Sequence, residues 1–282
     1  MLSKKRLITM KSKVIFIFFI LTYSMFFSQT TRFIYDLKYK TDSTANLYEN
    51  ENVILEINKN RVQFYEMKAI EIDSINNLRS NGLSAYPFPF AKLTRIISDS
   101  KNDNHYFFKN TYWTFESSDV MNWKVENETK KVDKWIAQRA TTNFGGRNWI
   151  AWFINEIPIS EGPYKFNGLP GLIVELSDSK NNFKFKLVKI EKPKITNPKL
   201  VETVFKNKPF KITYKKYIEM LTGYYNDPYS EFRNLKEGTW KIGMSGNEVT
   251  TIEGLNKATK ETQEYLRKNN NPIELDKAIK YK

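Results

Sequence analysis

Two pairs of acids, Glu156 with Glu161 and Glu175 with Asp178, lie close together in the chain. Carboxyl pairs of this kind cleave glycosidic bonds, one donating a proton while the other acts as base or nucleophile, so a carboxylate-dependent hydrolase is one reading. Spacing alone does not select it, because acids beside turns are ordinarily solvated and a general acid needs both reach and a shifted pKa. The one histidine, His105, sits in Asn104-His105-Tyr106-Phe107 without a serine or aspartate signature beside it, and is expected to be an ordinary strand residue. Arg147 follows a glycine pair and can hold an anionic ligand or close a salt bridge across a hairpin. Trp113, Trp123, Trp135, Trp149 and Trp152 can form a sugar-stacking platform or fill a core. The residues singled out for binding are Arg147, Trp152, Tyr164, Lys165, Lys184 and Lys186; none is assigned to catalysis or to a metal.

The composition excludes much chemistry. Among 282 residues there is no cysteine and one histidine, so there is no disulfide framework, no thiolate nucleophile and no Cys- or His-rich metal site, and no cofactor is expected. Lys and Arg number 45 against 31 acids, a formal net charge of +14. Five of those positive charges, Lys4, Lys5, Arg6, Lys11 and Lys13, precede an apolar-dominated run from Val14 to Phe27, with no acid before Asp36. This is the pattern of a secretory signal peptide over residues 1–28, with a junction at Ser28–Gln29; the run falls short of the roughly 20 residues that cross a bilayer. Met10 opens a complete signal of its own. The expectation is export to the periplasm or cell envelope, with a mature chain of net charge +9, no transmembrane segment after leader removal and no nucleic-acid partner.

Positioning these residues falls to a strand-rich chain. Phe33, Tyr35, Leu37 and Tyr39 alternate with polar residues, and Val53 to Ile57 and Val62 to Phe64 flank Asn58-Lys59-Asn60 as a hairpin. Met67, Ile70, Ser74, Ile75 and Leu78 predict the buried face of a short helix ending at Asn81-Gly82, and Tyr86-Pro87-Phe88-Pro89-Phe90 predicts a loop. Strands are predicted at 106–115, 121–125 and 132–142. The Gly145-Gly146 pair suits a tight hairpin turn. It leads into a strand with Trp149, Ala151 and Phe153 on one face and Ile150, Trp152 and Ile154 on the other, apolar on both and therefore covered. Phe183, Phe185 and Leu187 alternate with lysines. Helices are predicted over 212–225 and 258–268. Strands followed by helices predict an α+β fold, a mainly antiparallel curved β-sheet with C-terminal helices, in a single domain over 29–282 that is β-rich to 192 and helix-containing from 193.

Residues 156–176 read EIPISEGPYKFNGLPGLIVEL. This segment resembles the GLPGLI family, exported proteins of Bacteroidota-type bacteria, through Gly168-Leu169-Pro170-Gly171-Leu172-Ile173. Gly146-Arg147, Ala151-Trp152-Phe153 and Asn271-Pro272-Ile273-Glu274-Leu275 are similar to further elements of that family. The resemblance implies no activity. It also implies that Ala137 and Leu187 stand where many members carry two cysteines, whose joint loss suits a structural bridge. Physically, Pro170-Gly171 fits the central pair of a type II turn, with glycine at positive φ, and the loop delivers Leu172 to Leu176 into a strand beneath Tyr164 and Phe166.

Lys180 to Lys216 holds 12 lysines and two acids, a stripe of local charge +10 that leaves the rest of the mature chain at −1. It suits an anionic envelope polymer or lipid headgroup, and equally the lysine-rich composition of an AT-rich genome. The function expected is a non-enzymatic envelope protein binding an apolar or anionic component, its partners an envelope lipid, polysaccharide or outer-membrane protein. The alternatives are the hydrolase and an accessory subunit of an outer-membrane complex.

Overall fold

A computed structural model describes residues 30–79, 90–97, 99–244 and 247–281. The expected leader and its junction, the Asn81-Gly82 stop and residues 86–89 of the proline loop lie outside the described residues, whereas Phe90 is buried.

Strands dominate the first part: β1 (Thr31–Tyr39), β2 (Glu49–Asn58), β3 (Arg61–Glu66), β4 (Lys92–Ile96), β5 (Lys101–Phe108), β6 (Thr111–Ser118), β7 (Lys124–Val132), β8 (Trp135–Phe144), β9 (Arg147–Ile154), β10 (Leu172–Asp178) and β11 (Phe183–Glu191). Helix α1 (Lys68–Leu78) interrupts them. Helices α2 (Leu200–Thr203), α3 (Tyr214–Asn226) and α4 (Ile252–Lys268) follow, with strand β12 (Phe210–Lys211) between the first two and a small β13 (Ile242–Met244), β14 (Asn247–Val249) ladder before the last. Twelve strands form one open sheet in the order β12-β6-β5-β4-β3-β2-β1-β11-β10-β9-β8-β7, antiparallel except where β12 lies parallel to β6. The fold is therefore α+β, with a mainly antiparallel sheet and C-terminal helices.

Local sequence explains the tight reversals. Gly145 and Gly146 take φ of 61° and 71° between the paired ends Phe144 and Arg147, as a primed hairpin turn requires. Lys59 and the Lys109-Asn110 pair also take positive φ at their turns. Two strand predictions straddled such turns: the run 106–115 is a hairpin bent at 109–110, and 132–142 crosses the turn at 133–134 into β8. Aromatic and β-branched residues there continue through the reversal, so composition hid it.

Three further expectations change. Helix α1 buries Ala69, Ile72 and Asn76 rather than the apolar residues assigned to its inner face, because it packs beside α2, where the Asn76 amide donates to the Val204 carbonyl at 2.8 Å. Strand β9 is interior and fully buries Trp149, Ala151 and Phe153, but Ile150 and Trp152 on its other face are only half covered. Ala137 and Leu187 lie on β8 and β11, three places apart in the sheet, about 14 Å at ordinary strand spacing and beyond the reach of one disulfide.

The two sheet faces pack differently. Phe33, Tyr35 and Leu37 of β1 point with Leu55, Phe64, Trp149 and Phe153 into the main core, together with Tyr164, Phe166 and Leu169 of the loop between β9 and β10. Burying each such side chain contributes about 1.5–3 kcal/mol. Ile34, Ile54, Tyr65 and Tyr112 face the opposite way and are covered by α1, α2 and Phe205.

Candidate functional site

The loop from 155 to 171 folds on itself. Glu161 bridges to Asn167, the Phe166 amide donates to the Pro163 carbonyl at 3.2 Å, and the Ser160 hydroxyl donates to the Leu169 carbonyl at 2.6 Å. Gly171 does not take positive φ, so the type II turn assigned to Pro170-Gly171 is corrected; positive φ falls on Gly168, at 98°. Gly171 is required for another reason: a Cβ there would stand 2.1 Å from the Ile154 carbonyl oxygen. Leu169, Leu172 and Ile173 are buried, and the Tyr35 hydroxyl donates to the Ile173 carbonyl at 2.7 Å.

Half of the residues singled out for binding, Arg147, Tyr164 and Lys165, serve the interior. Lys165 is fully buried, its Nζ 2.7 Å from Glu274 Oε1, 3.1 Å from Asp119 Oδ2 and 3.2 Å from Ser117 Oγ. The Tyr164 hydroxyl donates to the same Glu274 oxygen at 2.6 Å, and Lys277 holds the other. Burial works to raise the Asp119 pKa, but Lys165, the Ser117 hydroxyl and Lys277 outweigh it and hold it below the usual carboxylate value. Arg147 is buried too: Nε donates to the Ile273 carbonyl at 3.0 Å and Nη2 to Asn271 Oδ1 and the Pro272 carbonyl at 2.6 and 2.7 Å, while Nη1 lies 3.4 Å from Asp178. The Gly-Arg pair, the hexapeptide loop and the 271–275 segment thus converge on one another. Gly145 and Gly146 let that segment approach, since a Cβ at either would meet the backbone of Glu274 or Asp276 at 2.9 Å.

Trp152 is half buried beneath the Lys130 ammonium, 4.3 Å from the ring centre. Lys184 and Lys186 are exposed on β11, Lys186 standing between Asp36 and Glu175 on the neighbouring strands. The lysine stripe is not one patch. Lys184, Lys186 and Lys189 lie on β11, Lys211 on β12 seven places away, and Lys215 and Lys216 on α3, because the chain crosses the molecule between them. The tryptophans are likewise dispersed: Trp149 is core, Trp113 packs on Phe210 and Trp123 on Phe166.

The acid pairs share no space. Glu161 is buried in a two-point ion pair with Arg95, and Glu156 is exposed. Glu175 pairs with Lys130, whereas Asp178 accepts from the Phe183 amide and faces Arg147. His105 is buried, stacked on Tyr112 and bonded to Thr94, and burial with Arg61 and Lys92 nearby lowers its pKa to about 3. Among the described residues no group of three or more acids or histidines is placed to hold a metal.

Sequence reasoning missed a cavity of about 240 Å³ between β1, β5 and β6 of the sheet, α3 and the C-terminal segment. Tyr39, Tyr106, Tyr164, Tyr214 and Tyr217 line it, together with Glu274 and Lys277. Burial raises the hydroxyl pKa of Tyr106, Tyr164 and Tyr217 well above its usual value, and that of Tyr39 to about 12, so these walls are uncharged. The signal available was the 16 tyrosines, but the cavity draws them from distant segments.

A family model described as "Protein of unknown function (Porph_ging)" matches residues 144–175, which span the glycine turn, Arg147 and the hexapeptide. The GLPGLI resemblance is compatible with it. No curated protein matches the sequence. The solved structures of PNGF-II in its C2 and P21 crystal forms are similar to the chain, each with a TM-score of 0.51 and 15% identity. The likeness covers 68% of this chain and 32–33% of PNGF-II, so it concerns the fold of about a third of that protein. Among the described residues no helix is long and apolar enough to cross a membrane.

Proposed function

We propose that the protein is an exported envelope protein of the GLPGLI type that binds, without chemical conversion, one uncharged ring such as a single sugar residue of an envelope polysaccharide. The observation that carries this is the tyrosine-lined cavity. Its 240 Å³ exceeds the roughly 150 Å³ that houses a benzene and falls short of the roughly 300 Å³ where drug-sized pockets begin. Neutral tyrosines offer ring faces for stacking and hydroxyls for hydrogen bonds. Glu274, the one carboxylate lining the cavity, is occupied by Tyr164, Lys165 and Lys277, and this supports binding over acid–base hydrolysis.

In this reading the sheet is curved round the loop. Lys165 ties Asp119, just past β6, to Glu274, which lies against the β8–β9 turn. In a flat sheet β6 and β9, eight places apart, would be about 38 Å from one another.

The test is native mass spectrometry of the protein purified from its own envelope, beside an Ala278→Phe variant that fills the cavity. A small ring-containing adduct on the parent and none on the variant is the expected result. Equal adducts on both, or none on either, would sink the reading.

A further inference from the structure

The opposite end of β1 carries a second concavity. Tyr39 lines the tyrosine cavity and Thr30, nine residues away, lines this one, a separation of about 30 Å along an extended strand. Its volume is about 690 Å³, and its wall combines Lys59 and Arg61 of the β2–β3 turn with Lys192 and Lys194 of the segment after β11. Among the described residues no acid lines it; the remaining residues are Asn, Thr and Pro. Arg61 gives one nitrogen to Glu202, while its buried Nε finds no acceptor in the protein. Ile195, next to Lys194, is 89% exposed.

We infer that this concavity docks on an anionic lipid surface, its four cations taking lipid phosphates while Ile195 enters the headgroup layer. One observation favours a membrane over a soluble anion. An exposed isoleucine beside a lysine gains nothing from a free phosphate but is covered by a bilayer. The site uses two of the stripe's lysines and two residues from far outside it. It goes beyond the cavity reading and stands without it.

The test is flotation of the exported chain, residues 29–282, with vesicles of phosphatidylcholine, with and without phosphatidylglycerol. The parent is compared with Lys59→Gln/Lys192→Gln/Lys194→Gln and with a charge-matched control, Lys208→Gln/Lys215→Gln/Lys216→Gln. All three begin at residue 29, so differences read the folded surface. The concavity variant should lose about 100-fold in partition onto the anionic vesicles, while the control stays within about threefold. Equal losses in both variants, which would mean net charge alone, overturn the proposal. So does no loss in either, or a lysine-dependent rise of the unfolding midpoint in soluble pyrophosphate without vesicle binding. Unchanged thermal midpoints of both variants without ligand establish that the fold is intact.

Discussion

Lys165 and Glu274, 109 residues apart in the chain, form a buried ion pair at 2.7 Å that joins the hexapeptide loop to the C-terminal segment. Removing Glu274 leaves the buried Lys165 with Asp119 as its one remaining carboxylate among the described residues. Glu274→Ala is therefore expected to cost about 3–5 kcal/mol in urea unfolding, and combining Lys165→Met with Glu274→Gln to cost less than the sum of the single changes. Strict additivity would mean that the two side chains do not act as a pair.

Arg147 spends its fork on two backbone carbonyls, an amide oxygen and Asp178. A lysine carries one point charge and cannot reproduce that geometry. Arg147→Lys should destabilise the protein by about 2–3 kcal/mol and expose residues 269–281 to proteolysis before the sheet opens. Uniform cleavage along the chain would contradict this.

Two glycines of the hexapeptide should respond differently. At Gly171 an added Cβ meets a carbonyl oxygen at 2.1 Å, whereas at Gly168 it meets only Trp123 at 3.7 Å but suffers a φ of 98°. Gly168→Ala is expected to cost about 1–2 kcal/mol and Gly171→Ala more than about 3 kcal/mol, or to prevent folding. Chemical denaturation of the two variants side by side decides it.

Stability should fall on mild acidification. The folded His105 stays neutral down to about pH 3, while in the unfolded chain it accepts a proton near its usual 6.5. Protons then bind the unfolded state preferentially, and stability is lost progressively as pH drops from 6.5 towards 3. Asp119, whose folded pKa is lowered, adds its own loss below about 3.8. His105→Gln should flatten the stability profile between pH 6.5 and 4; an unchanged slope in that variant would assign the loss to other groups.

The extent to which sequence disclosed the fold depended on distance along the chain. The Gly145-Gly146 turn, the β2–β3 hairpin and the alternation in β1 and β11 were legible because their causes lie within a few residues. The hairpin at 109–110 was not, since Lys109-Asn110 takes positive φ without the glycine that advertises such a turn. At the site, Phe166 reads as a packing residue and Tyr164 as both a packing and a binding residue, whereas Arg147 and Lys165 are chosen for their charge as ligand contacts. Both are buried, and each is satisfied by groups more than 100 residues further on.

By itself the sequence determined the strand periods, the exclusion of thiol chemistry and of Cys- or His-rich metal sites, and the glycine-rich segment that must turn sharply, all consequences of local sterics and composition. Tertiary structure alone decided which charges are interior, that twelve neighbouring lysines scatter over the surface, and that tyrosines from β1, β5, the loop and α3 enclose one cavity. Burial and electrostatic pairing depend on what the folded chain brings within a few ångströms, and separation along the chain does not encode it.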